Sequence, residues 1–224
     1  MSKIVLVVAP HPDDETLGCG GAILNHISNG DQVHWLIMTQ MSMRSGYSSE
    51  EISTRQSEIN KVAELYGFCA VHQLSFEPAK LDILSMSELV NSTYPLVQSI
   101  KPQLLYIPYR GDAHNDHQIT FDAITACCKS FRAPFVERIL AYETLSETDF
   151  SLKTDDTGFK PTVWVDISKF IERKLFIVGV YKSELDEFPF PRSFEAIEAI
   201  AKVRGVQCGT KAAEAFILLK EVIR

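Results

Sequence analysis

The chain has 224 residues and 46% hydrophobic content, enough for one substantial core, and its length predicts a single domain over residues 1–224. Lys and Arg number 22 against 29 Asp and Glu, and the net charge of −7 comes without a basic block, which argues against a nucleic-acid partner. No run approaches the roughly 20 apolar residues of a membrane span, and the six-residue apolar stretch that runs into the first charged motif is not expected to carry a signal-peptide cleavage site. The expectation is a cytoplasmic protein with no membrane partner. The five cysteines are irregularly spaced with no C-x-x-C, so they are expected to be reduced and buried rather than paired or metal-bound.

Residues 3–8 read as a buried strand, short, β-branched and uncharged after Lys3. It runs into Ala9-Pro10-His11-Pro12-Asp13-Asp14-Glu15, which sets one His and three carboxylates beside a core strand. Residues 16–29 pattern as a helix with Gly30 in a C-capping role. Gly18, Gly20 and Gly21 fail the G-x-G-x-x-G spacing, so close helix–strand packing is expected of them rather than phosphate binding. A strand follows at 32–38, a polar loop at 41–49, a helix at 50–66 stopped by Gly67, and a short strand at 69–74. The helical pattern over 87–100 contains Pro95, which is expected to kink it or restart it. Strands are predicted at 104–107, 138–142 and 163–165, and helices at 117–130, 168–181 and 194–203; residues 212–223 fit either state. The alternation predicts an α/β domain with a mostly parallel sheet, whose ligands sit beyond the carboxyl ends of strands where strand order reverses.

Both charged motifs fall at such strand ends. His11 and Asp14 are three residues apart, and a turn leaving the strand can aim both at one ion. The second motif, Gly111-Asp112-Ala113-His114-Asn115-Asp116-His117, adds two imidazoles, again three apart. Two His and one Asp form a mixed N/O set suited to Zn²⁺, and three protein ligands leave a position for water, as in catalytic rather than structural sites. Asp13, outside that set, is placed to serve as a general base. Taken alone, the first motif is equally a polar turn capping a helix, and His114 and His117 are loop polar residues. Arg55 and Glu58, at helix positions i and i+3, read as well as a surface ion pair.

His11-Pro12-Asp13-Asp14-Glu15, Leu17-Gly18-Cys19-Gly20-Gly21 and His114-x-x-His117 together resemble the zinc-dependent N-acetylglucosamine deacetylases of the LmbE/PIG-L family. The likeness continues in Arg55-x-x-Glu58, Asp166-Ile167-Ser168 with Lys174, Tyr181-Lys182-Ser183-Glu184, Pro191-Arg192-Ser193, Arg204-Gly205 and Ala213-Glu214-Ala215-Phe216. It implies a Rossmann-like, three-layer α/β/α fold and one zinc per chain held by His11, Asp14 and His117. Asp13 would be the general base and later the acid, His114 the oxyanion stabiliser, and Arg55 a contact to the sugar or its aglycone. The implied substrate is a small N-acetylated sugar or conjugate, hydrolysed to acetate and an amino sugar. Family members form hexamers or other oligomers, so a homo-oligomer is expected. Where many relatives carry His-Pro-Asp-His, this chain has His114-Asn115-Asp116-His117, with the ligand spacing intact.

Arg192, in a Pro-rich loop beside Phe188 and Phe190, reads as a cap on the pocket, in its own or a neighbouring subunit, or as a surface residue. His26, His34 and His72 lack spaced partners and read as structural or surface groups, and Trp35 and Trp164 as core. Tyr142 and Glu143 end a strand on the active side, with core packing favoured over a substrate role. Loops near 41–49, 76–84 and 188–194 are expected to choose the sugar. The rival readings are another metal-dependent hydrolase of the phosphoesterase type, with two Mg²⁺ or Mn²⁺, and a carbohydrate-binding protein without turnover.

Overall fold

A computed structural model describes residues 2–154 and 158–223. In chain order it contains β1 (Ile4–Ala9), α1 (Asp14–Ser28), β2 (Gln32–Thr39), α2 (Ser49–Tyr66), β3 (Ala70–Phe76), α3 (Met86–Ile100), β4 (Leu104–Pro108), α4 (Asn115–Cys127), β5 (Arg138–Tyr142), β6 (Val163–Asp166), α5 (Ile171–Val178), α6 (Phe194–Cys208) and β7 (Ala213–Glu221). The strands form one sheet in the order β3-β2-β1-β4-β5-β7-β6. The first five pair in parallel, and β7 runs antiparallel to both β5 and β6. Strand order reverses between β1 and β4, so the crevice beyond their carboxyl ends is the topological switch point of the sheet.

The period of two along β1 divides the core. Val5, Val7 and Ala9 face a cluster completed by Cys19, Ala22 and Ile23 of α1, Ile59, Val62 and Tyr66 of α2, and Ile177 of α5. Leu6 and Val8 face the opposite layer, with Leu89, Val97 and Ile100 of α3 and Ala123, Ile124 and Cys127 of α4. The sheet is therefore covered on both faces, the three-layer α/β/α arrangement expected of a mostly parallel sheet. α6 packs beside α5, with Ala201 against Ile167 and Ala212.

The helix starts follow local chemistry. Ser48 and Glu51 form a capping box at the start of α2, and Ser85 and Ser193 cap α3 and α6 through the N–H groups of Glu88 and Ala196. α2 ends at Gly67, whose φ of +79° is costly for residues with a Cβ.

Several boundaries differ from the sequence reading. α1 begins at Asp14, earlier than expected, and is broken at Cys19 (φ −144°, ψ 23°). α3 runs through Pro95 as a single helix. A proline removes one ladder hydrogen bond, and the buried face of Leu89, Thr93, Val97 and Ile100 holds the two halves together. α5 is shorter than its apolar pattern, because residues 167–170 form turns, whereas α6 extends to Cys208. The ambiguous segment at the end is strand β7, paired on both edges. Among the cysteines, all free, Cys19, Cys127 and Cys128 are buried, but Cys69 and Cys208 are exposed, contrary to the expectation for all five. Trp35 is core as expected, whereas Trp164 is only half-buried, on edge strand β6, and donates its Nε1–H to Gln207. Neither His26 nor the other two histidines are partnerless. His26 contacts Asp31 and the Tyr106 hydroxyl, and His34 and His72 lie 3.3 Å apart on neighbouring strands.

Candidate active site

The turn leaving β1 and the loop leaving β4 meet at the switch point. Asp14 Oδ2 lies 3.4 Å from His11 Nδ1 and 3.4 Å from His117 Nε2. Ligand bonds of 2.0–2.1 Å at tetrahedral angles put donor atoms about 3.3 Å apart, so this His–Asp–His triad has the spacing of an ion's donor set. His11, His114 and Asp116 form a second, overlapping cluster. There, however, His11 Nε2 and Asp116 Oδ2 are 2.9 Å apart, which is hydrogen-bond spacing.

Each imidazole of the first triad has a carboxylate on its other nitrogen. Asp116 contacts His11 Nε2 at 2.9 Å, and Asp112 contacts His117 Nδ1 at 2.7 Å. Such partners fix ring orientation and tautomer and leave the remaining nitrogen for an ion. Asp112 is itself held by the Thr148 hydroxyl at 2.6 Å. Asp116 also accepts the N–H groups of Ala79 and Leu81, tying the loop after β3 to the site.

Burial disfavours the charged imidazole of His11, but the hydrogen bonds to Asp116 and Asp14 outweigh it and lift the pKa to about 9. His117 is likewise raised against its burial by Asp14 and Asp112. Asp14, opposed by its own burial, is held far below the carboxylate range by the two histidines. The cluster thus gathers cationic protons around one carboxylate, a place where a divalent cation can substitute for them.

Asp13 lies beside this triad. It has a φ of +140°, an unfavourable backbone for a residue with a Cβ. Its N–H donates to Glu15 Oε2 at 3.0 Å, and its carbonyl accepts from Thr16 and Leu17, starting α1. Burial first, and then the charge of Asp14, push the Asp13 carboxyl up, against the lowering effect of Arg192, whose Nη1 is 3.2 Å from Asp13 Oδ2. Glu15 is fully buried and accepts the Thr16 and Tyr181 hydroxyls as well; burial raises it to about 7.

His114 caps α4, its Nδ1 accepting the Asp116 N–H at 3.0 Å. An accepting Nδ1 leaves the proton of the neutral ring on Nε2. Burial and the neighbouring His11 hold its pKa below the ordinary value, which favours that neutral donor. Arg55 is buried rather than on the surface. It bonds the Pro12 carbonyl, Ser183 and Glu184, with Glu58 at 3.4 Å. Glu184 also reaches Arg192 at 3.2 Å, so Arg55, Glu184, Arg192 and Asp13 form one chain of charges.

These groups line a cavity of about 250 Å³, with Met41 and Tyr47 from one loop, Pro78 and Ala79 from another, and Arg192 from a third. Each of the three loops expected to choose the sugar contributes to this lining, and Arg192 comes from the same chain. Tyr142 is core, donating its hydroxyl to the Val8 carbonyl, and Glu143 pairs with Arg204. Sequence reasoning assigned no role to the orienting carboxylates Asp112 and Asp116, whereas Glu15, read as a supporting residue behind the site or at the helix start, holds the Asp13 N–H. The available signal for the first two was an acidic residue close to each histidine within one motif.

The fold is thus a mostly parallel, three-layer α/β domain whose switch point carries a two-His, one-carboxylate cluster able to hold a metal ion. The family model described as PIG-L, GlcNAc-PI de-N-acetylase, matches residues 6–128, and the chain belongs to this family. It is 27% identical over 226 residues to a diacetylchitobiose deacetylase of Thermococcus kodakarensis, covering 95% of this chain and 81% of that protein. It is 25% identical over 195 residues to a probable N-acetyl-alpha-D-glucosaminyl L-malate deacetylase 2 of Bacillus cereus, covering 83% and 86%. Among solved structures, the conserved protein TT1542 from Thermus thermophilus superposes with a TM-score of 0.78 at 26% identity, over 100% of this chain and 97% of that one.

Proposed function

We propose that the chain is a zinc-dependent N-deacetylase that hydrolyses the acetamide of an N-acetylglucosamine-type sugar or sugar conjugate to acetate and an amino sugar. Family membership and the deacetylase relatives support the reaction class. The observation that carries the reading to this chain's own residues is the donor spacing of His11, Asp14 and His117, with Asp13 and His114 on the same cavity wall.

The two-N, one-O donor set fits zinc, and His11, Asp14 and His117 are the residues that hold it in this reading. When bound there, the ion lowers the pKa of water toward roughly 7 and polarises an acyl oxygen. The protein supplies the rest. The Asp13 carboxylate takes a proton from the attacking water as its oxygen bonds to the acetamide carbon. The His114 Nε2–H donates to the acyl oxygen as negative charge develops on it. Asp13 returns that proton to the nitrogen as the C–N bond breaks and the oxyanion re-forms the carbonyl; the products are acetic acid and the free amine, and the remaining carboxyl proton passes to the amine to give acetate and the ammonium form. Arg192 holds Asp13 in place, and Arg55 and Arg192 are the substrate-side cations of the pocket.

The second cluster of His11, His114 and Asp116 closes on a 2.9 Å hydrogen bond between His11 Nε2 and Asp116 Oδ2, which favours one zinc at the first cluster over a two-metal phosphoesterase. Among the described residues, no helix is long and apolar enough to cross a membrane. A single domain over residues 1–224, a cytoplasmic location and a homo-oligomer, a hexamer in the family's manner, complete the proposal. Acetate release from a panel of N-acetyl sugars and conjugates, with and without chelator, tests it. Chelator-sensitive release with one zinc per chain is expected; two Mn²⁺ per chain supports the phosphoesterase, and zinc without any release supports a binding protein.

A further inference from the structure

The break in α1 at Cys19 leaves backbone groups that a continuous helix would pair with one another. In an unbroken helix the N–H of Gly21 would donate to the carbonyl of Leu17, and that of Ala22 to the carbonyl of Gly18. Instead, Glu214 of β7 accepts both N–H groups, Gly21 on Oε1 at 2.8 Å and Ala22 on Oε2 at 2.7 Å. Lys174 of α5 donates its Nζ to the Leu17 carbonyl at 2.8 Å and to Glu214 Oε1 at 2.7 Å. The pair is buried, with side-chain exposures of 3% and 5%. Its polarity matches the break: the carboxylate sits at the start of the second helical segment and the ammonium at the end of the first, the favourable sense at each helix terminus.

The glycines singled out in the sequence make this insertion possible. A Cβ on Gly20 would lie 2.6 Å from the Tyr66 hydroxyl and 3.3 Å from Lys174 Cγ. One on Gly18 would lie 2.2 Å from a ring carbon of Tyr142, and one on Gly21 would lie 2.4 Å from Ile167. The Leu17-Gly18-Cys19-Gly20-Gly21 run is therefore the place where side chains from α2, β5, the β6–α5 turn and α5 close on the backbone of α1.

We propose that the Lys174–Glu214 pair is a positioning device, spliced into the hydrogen-bond ladder of α1 so that the short segment from Asp14 to Gly18 points its first turn at the switch point. Neither residue touches the cavity that holds Asp13 and the His–Asp–His triad. They act through the backbone that carries Asp14 and Glu15. A buried ion pair is often replaceable by apolar residues without loss of stability; what it supplies here is a bent helix where a straight one would close its own ladder. The inference rests on the proposed function only for the role of Asp14 as an ion ligand.

The test compares the wild-type protein with Lys174→Met/Glu214→Leu, which lets α1 close its ladder, and with Glu214→Gln, which removes the charge at constant shape. Metal-free protein is titrated with Zn²⁺ by calorimetry, and deuterium uptake is followed over residues 11–18 and, as a remote control, 138–142. Folded variants are expected to bind Zn²⁺ at least tenfold more weakly and to exchange faster over 11–18, with 138–142 unchanged. Variants that fold, keep Zn²⁺ affinity within twofold and keep the exchange pattern would overturn the proposal and leave the pair a structural contact. Should both variants fail to fold, Glu214→Asp, whose shorter carboxylate cannot hold both amides at once, replaces them with the same readouts and the same overturning result. In the wild type, rapid exchange at the Gly21 and Ala22 amides overturns the splice. Acetate release is not among these readouts, so a wild-type protein that deacetylates nothing refutes the proposed function without touching this result. If the wild type binds no Zn²⁺, the metal reading fails, and the exchange measurements still decide the splice.

Discussion

The Glu15 carboxylate accepts the backbone N–H of Asp13 at 3.0 Å and so holds a residue whose φ is +140°. Backbone strain of this kind costs on the order of 1–3 kcal/mol and persists only where surrounding contacts over-determine it. Glu15 supplies those contacts by also accepting the Thr16 and Tyr181 hydroxyls inside the core. Glu15→Leu would strip an acceptor from three buried donors and is expected to cost at least about 1–3 kcal/mol of stability and to lower kcat by releasing Asp13. Glu15→Gln can keep the Asp13 N–H on its remaining oxygen while the two hydroxyls turn to accept its amide. Urea unfolding and kcat for both variants check this; equal loss from Gln and Leu would mean that the charge, not the acceptor, is what matters.

The proposed division of labour within the first motif separates metal content from turnover. His11→Ala and His117→Ala each remove a nitrogen donor and are expected to lower bound zinc. Asp13→Ala is expected to retain zinc and lose roughly 10²–10⁴ in kcat, the span of general acid–base catalysis. His114→Ala, which removes the Nε2–H donor, is expected to retain zinc and lose about 10²–10³ in kcat, the cost of one oxyanion donor. Metal analysis beside steady-state kinetics reads all four. An Asp13→Ala protein with full activity sinks the base assignment.

Much of this arrangement is legible in the chain because it is local. Residues 3–8 form an apolar run long enough for a buried strand and too short for anything else, and the charged motif follows at once, so its place at a strand end could be read directly. His114 and His117 follow β4 in the same way. What was not legible arises between distant segments. Glu214 reaches the N–H groups of Gly21 and Ala22 across 193 and 192 residues of sequence, and nothing in the local pattern of either segment announces it. Gly18, Gly20 and Gly21 weaken the helix around Cys19, but the side chains that fill the break come from distant segments and could not be read locally. Arg55 reads from sequence either as a substrate contact or as half of a surface pair with its neighbour Glu58, and its pairing with Glu184, 129 residues further on, could not be read locally. The direction of β7 was equally hidden, since apolar residues in a strand do not say whether its neighbours run parallel or antiparallel.

The carboxylates behind the two histidines provide a graded test of the ion site. Asp116→Asn and Asp112→Asn preserve shape but weaken the hydrogen bonds to His11 Nε2 and His117 Nδ1. Loss of such an orienting carboxylate typically weakens metal binding by roughly 10–100-fold. Asp116→Asn is expected also to loosen the loop carrying Ala79 and Leu81, whose N–H groups the same carboxylate accepts. Zn²⁺ titration of the metal-free variants measures the first effect. Affinities within twofold of wild type would show that the histidines are held by packing alone.

The His34–His72 pair makes stability depend on pH at a point remote from the cavity. Nδ1 of His34 and Nε2 of His72 are 3.3 Å apart on β2 and β3, and the rings stack with centroids 5.6 Å apart. Burial lowers the pKa of both, and the like charge of His72 lowers His34 further. The folded pKa values therefore lie below the unfolded value of 6.5. Between them the unfolded chain binds more protons than the folded one, so stability rises with pH there. The pair's contribution is complete above the unfolded pKa and is lost as pH falls through about 6.5 toward the folded values. Urea unfolding midpoints at pH 7.5 and pH 5.5 should differ more for the wild type than for His34→Gln or His72→Gln, because either variant removes the repulsion and one of the two half-buried imidazoles. Identical pH slopes in all three proteins would place the titration elsewhere in the chain.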